Sequence, residues 1–185
     1  YNICINSIDK NCLMNRKLIV ELGCASGERL IYLKKKFNFK SSMGCDLAFN
    51  EEYQIDNSFF FSENLNEEWR FSDGSVDCLL AMMIFEHLFD PWFCFSELKR
   101  VLAPNGRAFV NLPLVTGVKN RLRLLSGNLP ETSVSYSKWK REGHWDGFHL
   151  HYFSMPSIID LAENSGLRLI RKSGVGRFRT LKNFL

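Results

Sequence analysis

A glycine-rich turn at residues 20–27 constrains this chain more than any other feature. The apolar, β-branched stretch before it, Leu18 to Val20, predicts a short buried strand. From Glu28 onward apolar residues recur at helical spacing, which predicts an amphipathic helix. A strand, a glycine turn and a helix form the beginning of a βαβ unit. In such a unit the glycines let the backbone approach a ligand, and the helix N-terminus offers free N–H groups. The sequence therefore predicts an α/β fold with a ligand site at this turn.

The spacing within the turn disfavours phosphate-bearing ligands. A dinucleotide fingerprint needs glycine at its first, third and sixth positions. Counted from Gly23, the third and sixth positions are Ala25 and Glu28, and the Glu28 carboxylate would lie near a pyrophosphate. No Gly-Lys-Ser/Thr follows, so the chain also lacks a Walker-type loop. A nicotinamide-dependent oxidoreductase is accordingly disfavoured, and a tight turn without a ligand is the plain alternative.

The pattern that remains is E-x-G-x-A-x-G, with an acid on the strand just before the turn. This pattern resembles motif I of class I S-adenosylmethionine-dependent methyltransferases. Their cofactor carries an ammonium and a sulfonium and no phosphate, so an acid beside the turn suits it. The resemblance implies S-adenosylmethionine as the cofactor. It implies that the methionine part binds at Glu21, Gly23, Cys24, Ala25 and Gly27.

A second segment, residues 73–107, resembles the hallmark of type-11 methyltransferases. It contains D-G-S-V-D, then F-E-H-L-F-D-P, then L-K-R-V-L-A-P-N-G-R in that order. Together the two motifs extend the resemblance over about residues 17–113. The resemblance implies a Rossmann-like three-layer α/β sandwich with a mainly parallel sheet of six or seven strands, the class I methyltransferase fold. The segment 121–127 with Pro130 is similar, more faintly, to the MetW branch of methionine biosynthesis.

Two polar residues past the ends of later strands extend the cofactor site that the resemblance implies. Asp46 lies about 20 positions after Gly27, where nucleoside-binding α/β folds place the acid that binds the ribose hydroxyls. Asn64 follows a weak aromatic strand and can offer both a donor and an acceptor to adenine. Alternatively, Asp46 caps the next helix, and Asn64 is simply a turn residue. The remaining cofactor-binding positions are Leu47, Leu65 and Met82.

Methyl transfer mainly requires that the nucleophile, the methyl carbon and the sulfur be aligned. A base helps when the acceptor is a hydroxyl or a neutral amine, and His87 is the first candidate and His151 the second. Glu86 and His149 lie beside them in the sequence. Pocket shaping, helix capping and lid orientation are the alternative roles of these residues.

Residues 83–87 are also similar to E-x-x-E-H, a pattern with which some quinone and small-RNA O-methyltransferases bind a divalent ion. Met83 stands at the first acidic position of that pattern, so one hard oxygen ligand is missing. The sequence therefore predicts no metal site.

The 185 residues are predicted to form one methyltransferase-like domain. Its predicted parts are a lead-in at 1–16, a cofactor-binding core at 17–113, a lid or acceptor insertion at 114–153, and a C-terminal helix and strands at 154–185. Predicted strands are 17–22, 42–46, 57–61, 78–83, 107–112 and 167–171, and predicted helices are 27–36, 92–102 and 155–165. A seventh strand at 175–185, after a turn at Gly174 and Gly176, is expected to be short or truncated. Trp139 and Trp145 in the insertion are candidates for an acceptor pocket.

Composition limits the partners that the chain can have. No apolar run approaches the length of a membrane span, and no signal-peptide pattern opens the sequence. The six cysteines are scattered without a C-x-x-C pair, which predicts a reducing, cytoplasmic location with neither disulfides nor zinc. The net charge is +4, and basic residues cluster late, as at Lys119, Arg121 and Arg123. Such clusters fit either nucleic-acid binding or a solvated face.

A small molecule with an oxygen or nitrogen acceptor is the expected substrate. Two alternatives are a non-catalytic partner subunit with the methyltransferase fold and an RNA methyltransferase. The sequence indicates neither the acceptor nor the oligomeric state, because acceptor pockets are built from variable loops on a shared fold.

Overall fold

A computed structural model of the chain describes residues 17–133 and 146–172. Within these residues the chain forms six strands and four helices. The strands are β1 (Leu18–Leu22), β2 (Ser41–Cys45), β3 (Tyr53–Ile55), β4 (Ser58–Phe61), β5 (Val76–Met82) and β6 (Leu102–Asn111). The helices are α1 (Glu28–Phe37), α2 (Pro91–Val101), α3 (Val118–Leu125) and α4 (Met155–Asn164). Two short 3₁₀ turns lie at Phe85–His87 and Asp146–Phe148.

The strands form one sheet in the order β3-β4-β2-β1-β5-β6. All neighbours pair in parallel except β3 and β4, which form an antiparallel hairpin at one edge. Strands β2, β4 and β3 lie on one side of β1, and strands β5 and β6 lie on the other. The crevice beyond the carboxyl ends of β1 and β5 is therefore the topological switch point, where open α/β sheets bind their ligands.

Helices cover both faces of the sheet. On one face, Leu30 and Leu33 of α1 pack with Ile19, Cys78 and Phe60. On the other face, α2 and α4 pack together over a second core. Strands buried on both faces read as continuous apolar runs, which is why β1 and β5 could be located in the sequence. The predicted three-layer, mainly parallel sandwich is confirmed.

Two helix starts follow from local chemistry. The Asp90 side chain accepts hydrogen bonds from the backbone N–H groups of Trp92 and Phe93 at 2.8 and 3.1 Å, and Pro91 occupies the first helical position of α2. Ser154 caps α4 in a capping box with Ser157. Both caps satisfy N–H groups that the first helical turn leaves unpaired.

A buried ion pair fixes the segment between β4 and β5. The Glu97 carboxylate on α2 accepts from the Trp69 backbone N–H at 2.8 Å and pairs with Arg100 at 2.6 Å. The Arg100 guanidinium also donates to the carbonyl oxygens of Trp69 and Phe71. Hydrogen bonding to Arg100 holds the pKa of Glu97 below its usual value. Residues 62–75 are thus anchored to α2, and their first part reaches the sheet edge where the strands end.

Three predicted details differ from the structure. The strand predicted at 167–171 is absent from the described sheet: these residues form no ladder with a described strand, and Leu167 instead donates to the Ala162 carbonyl after the turn at Gly166. Strand β3 was not predicted, because its three residues are all exposed and carry no alternating pattern. Helix α3 lies within the segment that was predicted to be rich in loops; its apolar residues have helical spacing but face solvent, and glycines flank it.

The lead-in at 1–16 and the seventh strand at 175–185, with its turn at Gly174 and Gly176, lie outside the described residues. Among the helices of residues 17–133 and 146–172, none is both long enough and apolar enough to cross a membrane.

The first prediction concerns Gly27, which caps α1 with φ of +74°. A Cβ at Gly27 would lie 2.2 Å from the Phe60 ring, which is held by the Phe49 and Tyr53 rings. Gly27→Ala should combine the strain of a left-handed residue, about 1–2 kcal/mol, with overpacking, about 1–3 kcal/mol. Gly127→Ala is the matched control, since Gly127 has φ of +76° and no atom of another described residue, its chain neighbours aside, lies within 4 Å of the place that its new methyl group would take. Urea unfolding should show the larger loss for Gly27→Ala, and equal losses would contradict the packing argument.

Candidate functional site

A cleft lies at the carboxyl edge of the sheet, at the switch point between β1 and β5. Its walls come from the loops that follow β1, β2, β4 and β5. The lining residues are Gly23, Asp46, Leu47, Glu63, Leu65, Asn66, Ile84 and Leu88. The sequence prediction placed the cofactor at this edge, and Gly23, Asp46, Leu47 and Leu65 are the predicted positions that line the cleft.

The turn after β1 is held in conformations that favour glycine. Gly23 has φ of +62°, and a Cβ there would lie 2.6 Å from Cδ1 of Ile84, so only glycine lets this wall close against the turn. Ala25 also has a positive φ, of +48°. The Cys24 backbone N–H donates to the Cys45 carbonyl at 3.1 Å, which ties the turn to β2. Burial raises the pKa of the Cys24 thiol to about 12, so this cysteine stays protonated and is not a nucleophile.

Asp46 joins the turn to the end of β2. Its Oδ2 accepts from the Ala25 backbone N–H at 2.9 Å, and its Oδ1 accepts from the Ala48 backbone N–H at 3.0 Å. Each carboxylate oxygen has two lone pairs, so each retains capacity for a ligand hydroxyl. Leu47 beside it is 71% exposed at the edge of the cleft. An acid and an apolar surface thus stand side by side where the turn ends.

Glu21 lies beneath the turn as a fully buried acid. Its Oε1 forms an ion pair with Arg29 of α1, and its Oε2 has no hydrogen-bond partner among the described residues. Burial raises the pKa of Glu21 to about 6, against the opposing effect of the Arg29 guanidinium. A carboxylate with one unpaired oxygen in this position would be stabilised by a nearby cation or donor.

The predicted adenine position is shared among several residues. The Asn64 side chain is exposed and hydrogen bonded locally, to Glu67 at 2.5 Å and to Asn66 at 3.2 Å. Asn66, which the sequence analysis missed, lines the cleft and accepts from the Phe89 backbone N–H at 2.7 Å. Only the local Asn-x-Asn repeat could have drawn attention to it. Met82 ends β5 and is 9% exposed, within the core below the cleft.

A second polar cluster lies past the end of β5, beside the cleft residues Ile84 and Leu88. It consists of Glu86, His87 and His149, and one ligand-type atom of each lies within 4.8 Å of the others. Glu86 is fully buried, and among the described residues neither of its carboxylate oxygens has a hydrogen-bond partner. Burial raises the pKa of Glu86 to about 7. This arrangement is unusual because buried polar groups are nearly always paired.

Hydrogen bonds fix both imidazoles of this cluster. The His87 Nδ1 lies 3.2 Å from the Phe148 carbonyl oxygen. The His149 Nδ1 lies 2.6 Å from the Thr132 hydroxyl, which itself donates to Asp146 Oδ2 at 2.6 Å. The two rings contact each other edge to face, with centroids 4.8 Å apart. Burial lowers the pKa of His149, and His87 lowers it further, so His149 is held neutral.

Asp146 supports the cluster from behind. It is fully buried and accepts from the backbone N–H groups of Thr132 and Ser133 at 2.8 and 2.9 Å. Burial alone would raise the pKa of Asp146, but these hydrogen bonds and that of the Thr132 hydroxyl outweigh it and lower the pKa. Neither Asp146 nor Thr132 was identified from the sequence, since no periodicity or motif marks them.

His151, the second predicted base, lies outside this cluster. Its Nε2 lies 3.1 Å from the Phe89 carbonyl oxygen, so that nitrogen donates. The backbone N–H groups of Leu150 and His151 both approach the Glu86 carbonyl, at 2.8 and 3.3 Å. This main-chain bridge brings the segment 149–151 to the end of β5.

The remaining predicted features are divided between described and undescribed residues. Phe93 of α2 packs against the core. Trp139 and Trp145 lie outside the described residues.

In the basic cluster, Lys119 and Arg123 both pair with Glu131 at 3.0 Å, and Arg121 donates to the Thr116 carbonyl. The charges of this cluster are therefore partly neutralised within the chain.

Comparison with known proteins identifies the family. A family model described as a methyltransferase domain matches residues 10–172, and the chain belongs to this family. The prediction of a class I methyltransferase domain is confirmed, while the fainter MetW likeness stays a prediction. No curated protein sequence matches the chain.

Solved structures show the same fold at low identity. A structure of the Haloferax volcanii Trm112 methyltransferase activator in complex with a methyltransferase matches with TM-score 0.67 and 19% identity, over 91% of this chain and 71% of that one. The YcgJ protein of Bacillus subtilis matches with TM-score 0.65 and 15% identity, over 89% of this chain and 68% of that one.

A third solved structure contains a cofactor product. The phosphoethanolamine N-methyltransferase 2 of Haemonchus contortus, in complex with phosphomonomethylethanolamine and S-adenosylhomocysteine, matches with TM-score 0.60 and 13% identity. The match covers 90% of this chain but 37% of that longer one. Identities this low establish the fold and nothing about the acceptor.

The second prediction concerns the pH dependence that Glu21 contributes. Its pKa of about 6 in the folded chain exceeds the ordinary 4.5, so the folded state holds the proton more tightly. The stabilisation from Glu21 is full below pH 4.5 and is lost as the pH rises through about 6, a change of about 2 kcal/mol. Urea unfolding of Glu21→Gln should therefore show a flatter decline over this range than the wild type.

Glu68→Gln, at an exposed position, is the matched control and should keep the wild-type slope. The pKa of Glu86 is also raised, so Glu86 makes the free energy of unfolding depend on pH as well. This dependence is present in all three proteins and cancels in the comparison. Parallel curves for the wild type and Glu21→Gln would contradict the assigned burial effect.

Proposed function

We propose that this chain is an S-adenosylmethionine-dependent methyltransferase that binds its cofactor in the cleft and methylates an oxygen or nitrogen of a small molecule. The observation that most supports this proposal is the hydrogen bond from the Ala25 N–H of the glycine turn to Asp46, which follows β2. This bond places a carboxylate beside the turn at the switch point, where a nucleoside with a cationic amino-acid arm fits and a pyrophosphate does not.

The roles proposed for the cofactor-binding residues follow from their positions. Glu21 and the turn from Gly23 to Gly27 face the charge of the methionine arm, and the buried Glu21 carboxylate favours a cation nearby. Asp46 would accept from the ribose hydroxyls. Leu47 and Leu65 of the cleft would offer apolar surface to the adenine faces, with Asn66 of the cleft near its edge. Asn64 beside Asn66 and Met82 below are the other adenine positions proposed. The Haemonchus relative in complex with S-adenosylhomocysteine supports the choice of cofactor.

His87 and His151 are the proposed bases, in that order. The Phe148 carbonyl can only accept, so His87 Nδ1 carries the hydrogen and Nε2 keeps the lone pair that a base needs. His151 donates through Nε2 to Phe89, which leaves Nδ1 as its basic nitrogen. His87 ends the 3₁₀ turn that comes after β5 and lies between the cleft residues Ile84 and Leu88 in the sequence, which favours it.

The alternatives receive less support from the structure. An RNA substrate would use the late basic residues, but Lys119 and Arg123 are engaged by Glu131. The Haloferax structure contains an activator protein beside a methyltransferase, which supports a protein partner for this chain and does not favour a non-catalytic role. The cysteines described, Cys24, Cys45, Cys78 and Cys94, are all free and buried, which supports the proposal of a reducing, cytoplasmic location.

The third prediction tests the cofactor directly. Isothermal titration of the wild type with S-adenosylmethionine and S-adenosylhomocysteine should give micromolar dissociation constants, about −8 kcal/mol. Asp46→Asn removes the charge from the ribose contacts, and a hydrogen bond to a charged group contributes about 1.5–3 kcal/mol. Binding should weaken by at least about tenfold.

Asp56→Asn is the matched control. Asp56 is an exposed carboxylate in the β3–β4 turn with φ of +49°, which asparagine tolerates, and it should leave cofactor binding unchanged. A folded wild type that binds neither compound would overturn the proposed function and favour a non-catalytic subunit. Equal weakening by both substitutions would remove the ribose role from Asp46.

A further inference from the structure

The cluster of Glu86, His87 and His149 has the composition of a metal site. A buried carboxylate and two imidazoles converge to within 4.8 Å of one another. Neither oxygen of Glu86 has a hydrogen-bond partner among the described residues, although the residue is fully buried. Leaving such a group unpaired costs about 1–3 kcal/mol or more. A bound cation would satisfy it.

The hydrogen bonds of the two imidazoles leave the same nitrogen available on each. His87 donates through Nδ1 to the Phe148 carbonyl, so its Nε2 is unprotonated. The Thr132 hydroxyl has one proton, which it gives to the Asp146 carboxylate. Its oxygen must therefore accept from His149 Nδ1, and His149 also keeps a lone pair on Nε2.

Supports of this kind are characteristic of metal-binding histidines. A histidine that binds a metal through one nitrogen usually donates its other N–H to a carbonyl, a carboxylate or water, which fixes the tautomer and the ring. Here a carbonyl supports His87, and a hydroxyl held by a buried carboxylate supports His149.

We propose that Glu86, His87 and His149 form a binding site for a divalent transition-metal ion of the zinc type. Two imidazoles and one carboxylate match the ligands of catalytic zinc sites, which keep a further position open for water or substrate. Magnesium and calcium prefer oxygen ligands throughout and suit this set poorly. His87 is only partly buried, so an ion can enter from its side.

The sequence argued against a metal because Met83 replaces an acid, and the structure supplies a different third ligand. His149 is far from Glu86 in the chain and is brought to it by the main-chain bridge at Leu150 and His151. Ligand atoms around one zinc ion stand about 3.3 Å apart, so the three side chains need to draw together slightly. When the ion is bound, His87 no longer serves as a base, and His151 remains for that role.

The test is a metal titration that needs neither cofactor nor acceptor, so it stands or falls separately from the proposed function. Protein freed of metal by a chelator is titrated with Zn²⁺ against a chromophoric competitor, and with Co²⁺, whose visible absorption reports the ligand geometry. One ion per chain should bind. Glu86→Gln and His149→Ala should each weaken Zn²⁺ binding by at least about tenfold, whereas His151→Ala should bind as the wild type does.

A pair of substitutions at Thr132 tests the support of His149. Thr132→Val removes the hydroxyl that fixes the tautomer and should weaken Zn²⁺ binding by about 10–100-fold, while Thr132→Ser should restore it. Circular dichroism must show that each variant is folded. The proposal is overturned if the folded wild type binds no stoichiometric Zn²⁺, if Mg²⁺ binds and Zn²⁺ does not, or if Glu86→Gln and His149→Ala bind as tightly as His151→Ala.

Discussion

The hydrogen bond between the Ala25 N–H and the Asp46 carboxylate is the contact on which the candidate site depends. It closes the glycine turn of β1 against the end of β2, next to the strand where the sheet order reverses. Gly23, Ala25 and Gly27 keep positive φ values because three contacts hold the turn in place. These are the Ala25–Asp46 hydrogen bond, the backbone hydrogen bond from the Cys24 N–H to the Cys45 carbonyl, and packing against the Phe60 ring. The turn is therefore held by contacts within the chain itself.

Buried acids give this sheet edge its chemical character. Glu21 and Glu86 follow the same rule: each is fully buried, has at least one oxygen without a described partner, and has a raised pKa. Asp146 and Glu97 are the opposite case, because their hydrogen bonds outweigh burial and lower the pKa. The satisfied acids hold the loops, while the unsatisfied ones lie beside the turn and past β5. Glu21 has Arg29 on one oxygen only, and Glu86 has no hydrogen-bond partner on either carboxylate oxygen among the described residues.

How far the sequence could predict the structure depends on the range of the interactions. The strands β1 and β5 and the glycine turn are determined by neighbouring residues, and all were predicted. Helix α3 was missed because Val118, Leu122 and Leu125 face solvent. Residues 167–171 have a strand-like pattern but no described strand beside them. The roles of Asn66, Thr132 and Asp146 come from contacts between distant segments, which leave no local pattern in the sequence.

The bridge from Leu150 and His151 to Glu86 uses only main-chain atoms. The segment that approaches the end of β5 is thus attached through groups that every residue other than proline possesses. Side chains at Phe148, Leu150 and Tyr152 are at least 37% exposed and can be exchanged without breaking this attachment. A protein built in this way can change the shape and polarity of this surface by substitution alone while the backbone beside the cleft stays in register.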